Sequence, residues 1–299
     1  MTKRCVKVSI IGSPNVGKSS LLNYIIKEKN SIVSPKPHTT RTSVLGVANI
    51  DNTQIIFIDT PGYIRKGVGI WADHLIQSVR EAMEEVNVNL FLIDASKPNA
   101  YGSDIILNAI ATNPKTIIAL NKVDTRSKGK LYPIIERICK AGYKDVVYLL
   151  SARTGAGVPD LLRTITERAS ETEWIYEDNK EAKLSREVYA AECVREKIFY
   201  CLEKELPFQI WTTPSHWKFK SNGWQVSVDI VVTKHAHKKI VIGHHGEMIK
   251  RIGIAARTEL ESIWGPGQLF LNVREDSSWM GSVDYIAAIC KGYALPVEL

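Results

Sequence analysis

Gly12-Ser13-Pro14-Asn15-Val16-Gly17-Lys18-Ser19 follows directly on the apolar run Val6 to Ile11, and that placement decides the fold of the N-terminal half. A strand feeding a GxxxxGK[ST] loop and then a helix forms a phosphate cradle. Backbone N–H groups of the loop wrap the phosphates, Lys18 aims at the β/γ oxygens, and Ser19 offers a hydroxyl to Mg²⁺. The helix predicted from about Lys18 to Lys27 turns its positive dipole end toward the same anion. Gly12 and Gly17 fit where a side chain would block the turn or the close approach of backbone to phosphate.

Outward from this loop, apolar β-rich runs alternate with helical stretches: Val44 to Ile50, Gln54 to Asp59, Asn89 to Asp94, Thr116 to Leu120 and Val146 to Leu150. That rhythm predicts an α/β domain with a mostly parallel sheet. Val44 to Ile50 and Gln54 to Ile58, joined by Asp51-Asn52-Thr53, read as an antiparallel hairpin at its edge. In such sheets ligands gather at the carboxyl ends of the strands, where the remaining motifs fall. Asn121-Lys122-Val123-Asp124 follows Thr116 to Leu120. A carboxylate at Asp124 accepts from both N1–H and the exocyclic amine of guanine, a donor pair adenine lacks, so GTP and GDP are the expected nucleotides. Asn121 is expected to hold this loop against the phosphate loop, and the Lys122 stem to pack along the base. Backbone N–H groups of Ser151-Ala152 then close the pocket at guanine O6.

Asp59-Thr60-Pro61-Gly62 ends the strand before it, so Asp59 falls where a Mg²⁺-linked carboxylate belongs and Gly62 can present its N–H to the γ-phosphate. His38-Thr39-Thr40-Arg41 lies in the polar, proline-containing loop that begins Ser34-Pro35-Lys36-Pro37. Such a loop delivers a threonine hydroxyl to Mg²⁺ only when the γ-phosphate is present, which turns hydrolysis into a shape change. Thr40 is the expected ligand and Thr39 the alternative. Lys18, Thr40, Asp59 and Gly62 make up the expected catalytic set, with Ser19, Thr40 and Asp59 on the metal.

The 299 residues suggest two domains. No apolar stretch approaches the roughly 18–20 residues needed to cross a bilayer, and Met1 to Arg4 leave no room for a targeting segment before the first strand, so a cytoplasmic protein is expected. Cys5, Cys139, Cys193, Cys201 and Cys290 are scattered without a metal-ligand spacing and read as reduced thiols. The net charge of +7 resides in the N-terminal half, with 23 Lys/Arg against 16 Asp/Glu up to Glu173 and 16 of each beyond it. An anionic partner fits such a balance. Between Lys234 and Arg257, however, six basic residues face a single acidic one, Glu247, so the neutral half still carries one basic face.

The polar stretch Glu171 to Ala182 marks a domain boundary, giving a nucleotide domain over 1–172, a linker over 173–184 and a second domain over 185–299. Ser185 to Leu206 reads as a helix, Phe208 to Phe219 and Trp224 to Thr233 as strands, Leu269 to Val273 as a further strand, and Val283 to Lys291 as a last helix. His235 and His237 are expected to alternate along a strand. Trp211, Trp217, Trp224 and Trp279 are expected in the core or in groove walls rather than as stacking platforms.

GSPNVGKS, HTTRT, DTPG, NKVD and SAR, in this order, make the N-terminal half resemble the Era-type translational GTPases. In the second half Ile240 to Gly253 contains Gly243-His244-His245-Gly246 and resembles the GxxG signature of a KH domain, with the helix-strand-strand-helix-helix-strand order of the bacterial type II form. There two glycines let a helix-loop-helix junction approach a single-stranded backbone, and an apolar groove seats about four nucleotides. Lys238, Lys239, Gly243, His244, His245, Gly246, Lys250 and Arg251 are the expected RNA-binding residues. Family members often have lysine or another donor inside the GxxG; here two histidines stand, which leaves phosphate affinity to Lys250 and Arg251 at neutral pH.

Joined in this order, the halves resemble the bacterial Era family over nearly the whole chain. The resemblance implies slow GTP hydrolysis, binding of the 3′ end of small-subunit ribosomal RNA, and a role in assembly of the 30S subunit. It also implies a K⁺ beside the phosphates, held with the help of Asn15, and the peripheral membrane association some members show; a monomer is expected. Tyr63 follows the DTPG motif where Ras-like GTPases carry the glutamine that orients water, so turnover rests on Mg²⁺, Lys18 and backbone electrostatics. Rival readings are a constitutive RNA-binding scaffold with a structural nucleotide, and a tRNA-modification or large-subunit GTPase; the GxxG element argues against the latter.

Overall fold

The structure is a computed structural model that describes residues 2–27, 44–59, 86–97, 111, 113–176, 185–220 and 223–279. The Thr39-Thr40 loop, Thr60 to Tyr63 and the helix expected near Val283 lie outside the described residues. The described chain forms two compact units, 2–176 and 185–279.

In the first unit β1 (Arg4–Gly12), β3 (Thr53–Asp59), β4 (Val88–Asp94), β5 (Thr116–Asn121) and β6 (Tyr148–Leu149) run parallel and, with β2 (Val44–Ile50) at the edge, stand in the sheet order β2-β3-β1-β4-β5-β6. β3, β4 and β5 are buried at every position, the mark of a parallel sheet covered on both faces. β2 (Val44–Ile50) closes the edge antiparallel to β3, with Ile50 opposite Thr53 and Asp51 at φ 51° in the turn. That left-handed turn residue matches the twist of a two-residue hairpin. The chain leaves β1 for β3 on one side and reaches β4 on the other, which opens a crevice at the carboxyl end of β1. The phosphate loop lies there, followed by α1 (Lys18–Ile26). Helices α2 (Tyr132–Lys140) and α3 (Val158–Glu167) follow β5 and β6 and bury Ile134 and Ile138, and Val158, Leu161 and Ile165.

The start of the polar linker segment is held to this unit. Ser170–Glu171 forms β7, antiparallel to β1. The buried Gln54 side chain accepts through Oε1 from the N–H groups of Ile175 and Tyr176 (2.9 and 3.0 Å) and donates through Nε2 to Tyr176 O (3.0 Å).

The second unit runs α4 (Arg186–Cys201), β8 (Ile210–Lys220), β9 (Gly223–Val232), α5 (His235–Ile242), α6 (Glu247–Trp264), β10 (Gly267–Glu275). Its sheet order is β10-β9-β8, with β10 parallel and β8 antiparallel to β9. β9 alternates buried and half-buried residues, so one face packs on helices. Val226, Val228 and Ile230 meet Val194 and Ile198 of α4 and the stripe Ile252, Ala256 and Leu260 of α6. Trp211, Trp224 and Trp279 are buried and Trp217 packs partly buried on this core, which places them as walls rather than platforms.

Two elements differ from the sequence reading. His235 and His237 sit in the first turn of α5, because β9 stops at Val232 and Lys234 is the extended residue that opens the helix. Helix α4 stops at Cys201, because Leu202 is extended, Lys204 takes a left-handed φ of 53°, and Pro207 follows.

Candidate nucleotide site and nucleic-acid interface

Gly12 and Gly17 set the shape of the phosphate loop. A Cβ on Gly12 would lie 2.5 Å from Leu92 O, and one on Gly17, at φ 100°, 2.4 Å from Asn121 Nδ2. The loop is thus pressed against β4 and the guanine motif at once. Gly17, at the N-cap of α1, has no side chain to cap the helix, and no acidic residue stands in its first turn, so the positive end of the helix dipole faces an anion without a competing carboxylate on its own first turn.

Lys18 is buried, and its Nζ donates to Gly12 O (3.1 Å) and Ser13 O (3.2 Å). Burial pulls its pKa down to about 8, against the Asp59 carboxylate, which pulls it up. Between pH 8 and the ordinary lysine value of about 10.5 the unfolded chain binds more protons than the folded one, so the nucleotide-free protein gains stability as pH rises through that window. The gain amounts to about 3 kcal/mol in total. Urea titrations of the nucleotide-free protein at pH 7.5 and 10 check this, and saturating GDP is expected to remove the trend because its phosphates favour the ammonium.

Ser19 Oγ donates to Asp59 Oδ2 at 2.6 Å, and Asp59 is fully buried. A hydroxyl and a carboxylate side by side are the hard oxygen donors Mg²⁺ takes, the remaining positions going to phosphate and water. These residues fit the ion; Thr40, the third expected ligand, and Gly62 lie outside the described residues.

The base end is tied to the phosphate end by Asn121. Its Nδ2 donates to Val16 O (2.7 Å) and its Oδ1 accepts from Ala152 N–H (3.0 Å), joining the GSPNVGKS, NKVD and SAR loops through one side chain. Val123 N–H donates to Leu150 O (3.1 Å), holding the turn Val123–Thr125 against the strand end. Asp124 lies in that turn, and the Ser151 hydroxyl first, then Arg153, hold its carboxyl below the usual range against some desolvation. Arg153 Nη2 sits 2.8 Å from Asp124 Oδ2. Lys122, left-handed at φ 63°, sends Nζ to Asn15 O (2.5 Å) and to Asp94 Oδ2 (2.8 Å).

The residue types of Asp94 and Arg153 alone do not mark them as parts of the site. Asp94 ends a predicted strand, where ligands gather, and Arg153 completes the Ser151-Ala152-Arg153 run; those were the available signals.

In the second unit α5 breaks at Gly243 (φ 75°), where a Cβ would come within 2.7 Å of Met248 Cβ. His245 at φ 46° and Gly246 at φ 81° turn the chain into α6, and nothing lies within 4 Å of a Cβ on Gly246. Backbone can therefore approach this junction closely. The His244 and His245 rings contact each other edge-to-face at 4.1 Å, and both are exposed, as are Lys239, Lys250 and Arg251; Lys238 is half-buried.

A phosphate loop, a carboxylate read-out for guanine and a hydroxyl–carboxylate pair for Mg²⁺, on a mostly parallel sheet, define a P-loop GTPase, here followed by a KH domain. Models of a 50S ribosome-binding GTPase and of a KH domain match residues 7–122 and 222–275. The GTPase Era of Rickettsia bellii is 34% identical over 292 residues, covering 95% of this chain and 98% of that one, and the GTPase Era of Geobacter metallireducens is 36% identical over 282 residues, covering 91% and 93%. The chain belongs to the Era family of GTPases. A crystal structure of Era in complex with MgGDPNP and nucleotides 1506–1542 of 16S ribosomal RNA matches with a TM-score of 0.90 at 34% identity, covering 98% of this chain and all of that one. A variant of Aquifex aeolicus Era bound to GDP.AlF4- matches equally, at 33% identity.

Proposed function

We propose that this GTPase is a switch that holds the 3′ end of small-subunit ribosomal RNA and assists assembly of the 30S subunit. The observation that carries the reading is the likeness over 98% of the chain to an Era that holds a magnesium–nucleotide complex and a 16S segment together. Asp124 reads guanine, Asn121 registers base against phosphates, and Lys18 stabilises charge that develops on the transferred phosphoryl group. Ser19 and Asp59, with Thr40, would hold Mg²⁺, which supplies neutralisation of phosphate charge when bound. Ser13, Pro14, Val16, Gly17 and the Asp59-Thr60-Pro61-Gly62-Tyr63 segment enclose the nucleotide, and Ser151 and Ala152 close its base end. With tyrosine at 63 hydrolysis is slow, and ordering of the Thr40 loop by GTP carries the signal. In the second domain Lys238, Lys239, Lys250 and Arg251 steer phosphates to the Gly243-His244-His245-Gly246 junction. Crosslinking in cells, followed by sequencing of the RNA attached near Gly243 to Arg251, tests this; reads that do not gather at the 3′ end of small-subunit RNA contradict it.

We further read Asn15 as a contributor to a K⁺ site, which equal turnover in sodium and potassium buffers would remove. The protein is read as a cytoplasmic monomer. No described helix is long and apolar enough to cross a membrane. We read any membrane association as the peripheral kind that the family resemblance implies, and fractionation of cells in high salt tests it.

A further inference from the structure

We infer that Asp94, outside the five nucleotide motifs, is a positioning residue of the guanine site that acts through Lys122. The inference rests on the GTP reading of the same site. Parallel pairing of β4 and β5 sets Asp94 beside Asn121, so the carboxylate stands next to the start of the guanine loop. Lys122 then takes a left-handed backbone conformation, uncommon for a residue with a side chain. Two contacts hold its Nζ: Asn15 O at 2.5 Å and Asp94 Oδ2 at 2.8 Å. The carbonyl carries a partial charge, the carboxylate a full one, so Asp94 is the stronger anchor.

Asp94 is itself held in place. Its Oδ1 accepts from Ser96 N–H (2.8 Å) and Ser96 Oγ (2.5 Å), and only 9% of its side chain is exposed. Ala95 N–H donates to Asn121 O (2.9 Å), and Arg126 Nη2 donates to Ser96 O (2.6 Å), bracing residues 94–97 against both ends of the guanine loop. Burial pushes the Asp94 carboxyl up, but Lys122 and Ser96 together hold it below the usual range, so it is ionised at neutral pH. The ammonium is thereby drawn to the Asp94 and Asn15 oxygens, and the methylene stem spans from that anchor to its backbone as a flat apolar floor for the purine. Without the carboxylate only Asn15 O holds Nζ, and the stem next to the turn Val123–Thr125 that carries Asp124 loses its charged anchor.

The test is a double-mutant cycle read by stopped-flow release of a fluorescent GDP from the full chain. Asp94→Asn keeps shape and removes charge. We expect release roughly tenfold faster in Asp94→Asn, the loss associated with a charge-assisted hydrogen bond. Lys122→Met is expected to release GDP at least as fast, and the double variant no faster than Lys122→Met alone. Should Asp94→Asn fail to fold by circular dichroism, Asp94→Glu, which keeps the charge on a longer stem, is read in the same cycle. Unchanged release, or a full additive effect in the Lys122→Met background, overturns the inference. Wild-type protein that fails to retain GDP would overturn the nucleotide reading instead, so the two failures are distinguishable.

Discussion

Asp124→Asn is expected to lower affinity for GTP on the order of 10⁴-fold while admitting xanthosine triphosphate. The carboxylate offers acceptors to two adjacent donors, N1–H and the amine at C2 of guanine. An amide offers one acceptor and one donor, so the guanine amine meets another N–H and both lose a partner. Xanthine carries an oxygen at that carbon and satisfies the amide. The surroundings in this protein sharpen the effect, since the Ser151 hydroxyl and the Arg153 guanidinium are both donors set to meet a carboxylate. Competition titrations of the variant with GTP and xanthosine triphosphate check this. Undiminished GTP binding would mean that Asp124 does not read the base.

Lys18→Met is expected to reduce single-turnover hydrolysis about 10³-fold, the scale for removing one donor aimed at developing charge. The same change is expected not to lower the melting temperature of the nucleotide-free protein. Its ammonium is buried at a cost that Asp59 and the Gly12 and Ser13 carbonyls offset only in part, which leaves its pKa down at about 8 until a phosphate adds its charge. A variant that lost activity and melted much lower would point to a structural role for Lys18. Loss of hydrolysis at unchanged stability is the signature of a residue built for the γ-phosphate.

The parts of the site legible in the sequence are those whose chemistry demands fixed spacing along the chain. A phosphate loop needs Gly12 and Gly17 where Leu92 O and Asn121 leave no space for a Cβ, and a guanine reader needs its Asn and Asp three residues apart, so both are written locally. The fully buried strands β3, β4 and β5 were equally plain as apolar runs. What stayed hidden depends on neighbours in space. Asp94 gains its partner only because β4 lies beside β5, and Arg153 meets Asp124 across 29 positions of chain that no pattern spans. Gln54 reads as an ordinary strand residue, yet it ties down Ile175 and Tyr176 more than a hundred residues away. The turn into α5 misled for a local reason: His-Ala-His after a β-rich run mimics strand alternation, while the extended Lys234 had already opened a helix.

In the proposed switch the nucleotide sets how firmly the KH domain holds RNA. The most direct measurement is the affinity of the full chain for the 3′-terminal segment of small-subunit ribosomal RNA, taken with GDP and with a non-hydrolysable GTP analogue. Linkage requires that RNA tighten binding of the analogue over GDP by the same factor by which the analogue tightens RNA. RNA binding is expected to be at least about fivefold tighter with the analogue, with a matching factor in the reciprocal titration. Equal RNA affinities in the two nucleotide states would contradict it.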